Sequence, residues 1–149
     1  MSKTCSHVVI EHPQEDNGYG NDDMQQMKAN LAAENLVVRD FITADGNCQF
    51  SAVSDQVSRL KRGYMTANCL REIVVSYLKN IPVPEPSSEH TVANFVQGDF
   101  DAYLDRMAVN GEWGDHVTLQ AMANLLNLPI HVVSSSYASR HQYLYKIYP

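Results

Sequence analysis

The stretch Ala44-Asp45-Gly46-Asn47-Cys48-Gln49-Phe50-Ser51-Ala52-Val53 decides the reading of this chain. It sets a turn-forming cluster directly before an apolar helical pattern and leaves a cysteine at the junction. Phe50, Val53, Val57 and Leu60 follow at i, i+3, i+7 and i+10, so one face of a helix over 48–61 packs into a core and holds the thiol rigidly. Backbone N–H groups at a helix start favour negative charge, which biases such a cysteine toward thiolate, the form that attacks carbonyls. Turn residues just before it can aim N–H groups at the oxyanion that the attack creates.

Outward from this junction, Leu36-Val37-Val38 with Phe41 and Ile42 reads as a strand feeding the turn. Before it, Met24, Met27 and Leu31 recur at helical spacing within 24–34. Residues 1–23 are polar, carry Pro13, Gly18 and Gly20, and keep no period, so they are expected to form a flexible leader to a domain over 24–149. Downstream, Leu70, Ile73, Val74, Tyr77, Leu78 and Ile81 make a second helix, capped by Thr66 and ended by Pro82, with Cys69 inside the pattern. A proline-rich connection, Pro82 to Ser88, precedes two short helices, one with Val92, Phe95 and Val96 and one with Phe100, Tyr103, Leu104 and Met107. Asn110 to Gly114 is a turn, and Asp115 caps a helix carrying Val117, Ala121, Met122, Leu125 and Leu126 that Asn127 and Pro129 close. Ile130 to Val133 and Leu144 to Tyr148 read as strands joined by the loop over 134–140. This order predicts an α+β or α/β layered domain, with helices packed against a small β-sheet.

At 149 residues, 44% of them hydrophobic, the chain suits a single buried core. Its 11 basic against 17 acidic residues give a net charge of −6, which argues against a counterion-release grip on nucleic acid or on an anionic membrane. A basic protein partner fits that charge better. Three cysteines, Cys5, Cys48 and Cys69, fit neither a disulfide framework nor a four-ligand zinc site, and a reducing compartment follows. With no apolar leader core and no run long enough to span a bilayer, the expectation is a soluble, cytoplasmic protein.

A lone cysteine at a helix start is more often packing than catalysis, because free cysteine is among the most buried residue types. Context argues otherwise here. Core packing does not require the Asp45-Gly46-Asn47 turn, and a second block, Trp113-Gly114-Asp115-His116-Val117-Thr118-Leu119, again runs from a turn into a helix. Together the two blocks resemble, in order, the Asp-Gly-Asn-Cys and Trp-Gly signatures of the ovarian-tumour (OTU) family of cysteine proteases, most of which remove ubiquitin. The resemblance spans about 36–133. It implies an OTU-like fold and a deubiquitinase that cleaves isopeptide bonds with no cofactor and no metal. Cys48 would be the nucleophile and Asp45 the active-site aspartate, ordering the turn; backbone N–H groups around Gly46, Asn47 and Cys48 would form the oxyanion hole. Asp45 can equally be a turn former capping the helix, and both roles are compatible. Trp113 reads as structural, or as a wall of the channel for the Gly-Gly tail of ubiquitin.

A cysteine protease also needs a general base. The family takes it from a His-aromatic pair near its C-terminal end, after two strands. His7 and His12 lie in the leader, His90 follows the prolines, His116 opens the helix after Trp113, and His131 falls inside a strand. His141 is the remaining candidate base, although Gln142 stands where the pair needs an aromatic. Tyr143 to Tyr148 therefore reads as the strand before a missing histidine. On that reading the chain stops one strand early and is left less stable. Three functions are then in competition: an active OTU protease, a silent ubiquitin-binding module, and an interaction domain that shares only the fold. A papain-like or metal-dependent activity matches neither block.

Overall fold

The computed structural model describes residues 21–38, 42–81, 95–96, 98–135 and 144–149. Five helices and two strands follow one another along it: α1 (Asn21–Ala33), α2 (Cys48–Arg59), α3 (Ala67–Lys79), α4 (Phe100–Met107), α5 (His116–Leu126), β1 (Ile130–Val133) and β2 (Leu144–Ile147). Helix α1 begins at Asn21, three residues before the start read from the methionine spacing.

Local chemistry sets the helix ends. Thr66 caps α3 by accepting from the Cys69 N–H at 3.2 Å, and Asp99 caps α4 by accepting from the Ala102 N–H at 2.8 Å. Asp115 and Thr118 close a reciprocal capping box on α5, whose end turns left-handed at Asn127 (φ 49°). Thr66, Asp115 and Asn127 fall where the sequence puts them; the Asp99 cap was not read. Of the strand expected from Leu36-Val37-Val38 with Phe41 and Ile42, the described residues Leu36 to Val38 and Ile42 form no part and Val37 is exposed, while Phe41 lies outside the described set. β-branched composition alone does not make a strand without a sheet face to pack on. The short helix expected around Val92 lies mostly outside the described residues, and Phe95 keeps only a single helical turn position.

Helix α3 is the centre of the molecule, packed against α2, α4 and α5. Phe50 and Val57 of α2, Leu70, Val74 and Leu78 of α3, and Met122 of α5 meet in a core almost closed to solvent. β1 and β2 pair antiparallel, Ile130 opposite Ile147 and Val133 opposite Leu144. The sheet is tied in by side chains: Asn30 of α1 donates to the Ser134 carbonyl at 2.8 Å, and Gln120 of α5 donates to the Tyr148 carbonyl at 2.6 Å. Helices therefore pack on a small sheet, as expected.

Candidate active site

Cys48 is the first residue of α2 and is buried, 7% exposed. The turn before it is held at both ends of one peptide group. The Asp45 carboxylate accepts from the Asn47 N–H at 2.9 Å, while the carbonyl of the same peptide, on Gly46, accepts from Arg71 at 3.0 Å. Gly46 has φ +79°, and a Cβ there would lie 1.7 Å from the Gly111 carbonyl oxygen. Two independent constraints thus require glycine at this position. The Asn47 carbonyl accepts from the Ser51 N–H at 2.8 Å, and the Asn47–Cys48 peptide bond is trans, so the Cys48 N–H points out of the N-terminal end of α2. Of the two further donors expected, the Asn47 N–H is engaged by Asp45; the Gly46 N–H donates to no described residue.

Asn47 occupies the N-cap position, yet its side chain does not close the helix. Its amide oxygen accepts instead from Arg71 Nη2 at 2.8 Å and from the Gly111 N–H at 3.3 Å. Arg71, fully buried on α3, is the residue that the sequence reading missed. Its Nη2 also donates to the Glu112 carbonyl at 2.6 Å, its Nη1 donates to the Met107 carbonyl at 2.9 Å, and the guanidinium lies 4.2 Å from the Phe50 ring centroid. Burial pulls this guanidinium below the ordinary arginine value, and the charges of Glu112 and Asp45 oppose that shift.

The other flank of Cys48 is also fixed. Gln49 donates to the Asp115 carbonyl at 3.0 Å and accepts from the Thr118 hydroxyl at 2.7 Å. Tyr103 of α4 donates to the Asp115 carboxylate at 3.0 Å. Burial, then the negative charge of Asp115, push the Tyr103 phenol above the usual tyrosine range. A Cβ on Gly114 would meet Gln49 Oε1 at 2.2 Å, so the Trp113-Gly114 turn and the first turn of α2 are in close contact. The two sequence blocks are thus brought together from 66 residues apart.

A family model described as OTU-like cysteine protease matches residues 43–149. The chain belongs to that family. A solved structure titled "Structure of OTUD1 OTU domain" aligns with a TM-score of 0.56 and 27% identity, covering 74% of this chain and 66% of that one. Its match identifies the helices and small sheet as an OTU fold. "OVARIAN TUMOR DOMAIN-containing deubiquitinating enzyme 9" of Arabidopsis thaliana is 38% identical over 99 residues, 66% of this chain and 26% of that protein. "OTU domain-containing protein 6A" of Mus musculus is 31% identical over 75% of this chain and 38% of its own length. "Ubiquitin thioesterase otu2" of Schizosaccharomyces pombe is 29% identical over 77% of this chain and 38% of its own length. The chain therefore spans between about a quarter and two fifths of these relatives.

Within this OTU domain, the structure brings Asp45, Gly46, Asn47 and Cys48 into one braced turn. His141 lies outside the described residues, as do His7, His12 and His90. His116 opens α5 and stands edge-on to Phe95 with ring centroids 6.4 Å apart, and His131 sits on β1 opposite Lys146. Trp113 is half-exposed rather than in the core. An apolar cavity of about 20 Å³ lies at the far end of α2, between Val53, Val57 and Leu60 and the segment Leu126 to Ile130, too small for a substrate. Among the described residues, no cluster of metal-ligating side chains occurs, and no helix is long and apolar enough to cross a membrane.

Proposed function

We propose that this OTU domain hydrolyses isopeptide bonds between the ubiquitin C-terminus and lysine, with Cys48 as nucleophile. The observation that carries the reading is the placement of Cys48 at the first position of α2, behind a glycine turn fixed by Asp45, within a chain that matches the OTU-like cysteine protease family. Relatives named as deubiquitinating enzymes and a ubiquitin thioesterase support the substrate class. The thiolate attacks the isopeptide carbonyl and the lysine amine leaves with a proton; water then releases the ubiquitin carboxylate and restores the thiol. Asp45 orders the turn. The N–H groups of Gly46 and Cys48 serve the oxyanion, and that of Asn47 holds the turn through Asp45. His141 is the proposed base, and Trp113 lines the approach to Cys48. Three cysteines in no paired pattern favour a cytoplasmic setting, and net −6 favours a protein partner over nucleic acid.

The test is covalent labelling by ubiquitin carrying a thiol-reactive C-terminal warhead, read by mass spectrometry, with Cys48→Ala and His141→Ala as companions. A Cys48-dependent adduct and turnover of a fluorogenic ubiquitin ester, both weakened by His141→Ala, are expected. Labelling that survives Cys48→Ala, or no labelling by folded protein, overturns the reading. An adduct without turnover assigns the chain to ubiquitin binding alone, the alternative that Gln142 in place of an aromatic favours.

A further inference from the structure

Arg71 is buried with no carboxylate partner among the described residues. All four of its N–H···O contacts are to uncharged oxygens: the carbonyls of Gly46, Met107 and Glu112 and the amide oxygen of Asn47. Its Nε–H has no partner among the described residues. An apolar side chain in the stripe of Val74 and Leu78 would fill this place without the cost of desolvating a charge, so stability alone does not account for an arginine here. What the guanidinium does is geometric. Its Nη2 joins both sides of one gap: the turn before Cys48, at Gly46 and Asn47, and the facing loop, at Glu112.

The Gly46 carbonyl and the Asn47 N–H belong to one planar peptide group. Arg71 holds its oxygen end and Asp45 its N–H end, so neither partner alone fixes the plane. The same Nη2 draws the Asn47 side chain away from the cap position and onto the Gly111 N–H. A planar guanidinium offers several donors in fixed directions; a lysine ammonium at this site would have a different reach and geometry.

We infer that Arg71 is a positioning residue for the reaction at Cys48: it sets the Gly46–Asn47 peptide plane and clamps the Cys48 turn to the end of α4 and the loop after it, so that the N–H groups flanking that plane, those of Gly46 and Cys48, face the reacting carbonyl. This rests on the hydrolytic reading above. Binding of ubiquitin does not depend on that plane, whereas stabilisation of the oxyanion does.

The experiment compares Arg71→Lys, which keeps the charge and the stem, with Val74→Ala, a fully buried neighbour on α3 that touches no part of the turn's hydrogen bonding. Both are measured on the full chain, below the unfolding temperature, by hydrolysis of a fluorogenic ubiquitin ester and by amide hydrogen exchange. Arg71→Lys is expected to lower kcat at least tenfold with KM within about twofold, and to speed exchange at the Asn47 and Gly111 amides. Val74→Ala is expected to lower Tm while kcat of the folded protein and those two amides stay near wild type. A kcat for folded Arg71→Lys within twofold of wild type, or an equal kcat loss in Val74→Ala at matched Tm, overturns the inference. If Arg71→Lys does not fold, Arg71→Gln and Arg71→Met are read in the same assay, and retained kcat in either overturns it. If the wild type itself hydrolyses nothing, the preceding reading fails separately, and the exchange at Asn47 and Gly111 decides whether Arg71 sets the turn.

Discussion

Gly46 and Gly111 face each other at the turn before Cys48, and this contact makes the site sensitive to single atoms. A methyl group on Gly46 would collide with the Gly111 carbonyl at 1.7 Å and would sit at φ +79°. Gly46→Ala is therefore expected to cost about 2 kcal/mol or more and to abolish Cys48 labelling, checked by denaturant unfolding and mass spectrometry. Gly114→Ala meets the Gln49 side chain, from its Oε1 at 2.2 Å to its Cβ at 3.3 Å, with no backbone atom as close, and its φ is ordinary. Its loss should be smaller, because Gln49 can swing aside at the expense of two hydrogen bonds. Asp45→Asn keeps an acceptor for the Asn47 N–H and should retain most activity, whereas Asp45→Ala should lower kcat about tenfold or more, as steady-state hydrolysis would read. The turn over 45–47 and the start of α2 at Cys48 were legible because a turn cluster before a helix has a recognisable composition. Arg71 was not singled out, although the signal was present: it stands at i−3 from Val74 and i−7 from Leu78, a charge inside an apolar stripe. Periodicity marks that a residue faces inward and says nothing of which distant carbonyls it will find there.

At the level of elements, the helices were legible and the strand before the turn was not. Helices α3, α4 and α5 are each set by local signals, an apolar period with a Thr or Asp cap, which act wherever the chain goes. A strand depends on a partner elsewhere in the chain, and Leu36 to Val38 have none among the described residues. The junction of α4 and α5 carries its own prediction. Tyr103 is 3% exposed and donates to the Asp115 carboxylate, so Tyr103→Phe should destabilise the domain by about 1.5–3 kcal/mol near neutral pH. Because the folded state raises the Tyr103 value, its stabilisation is fully present below about pH 10, the ordinary tyrosine value, and declines as the pH rises beyond it. Wild type should lose stability above that point more steeply than Tyr103→Phe, and thermal unfolding across the alkaline range would show the two curves converging.

Over the whole molecule, α3 touches three other helices, and its buried residues belong to one core. Leu78→Ala should then cost about 2–5 kcal/mol and shift helix content and aromatic environment in a single coincident transition, measurable by far- and near-ultraviolet circular dichroism. The layered class was legible from element order, since helices with one apolar face must meet a sheet or one another. The joining of the two sequence blocks was not, because it depends on hydrogen bonds between Asn47 and Gly111, Gln49 and Asp115, and Gln49 and Thr118, at sequence separations of 64 to 69. That distance along the chain also gives the site a place in time. On a ribosome, Cys48 emerges long before Gly111 and Thr118, and until they arrive the turn lacks the loop it is clamped to. The nascent protein carries Cys48 on an unbraced turn; the clamped turn arises only once the α4–α5 segment has closed over it, as a late event of synthesis.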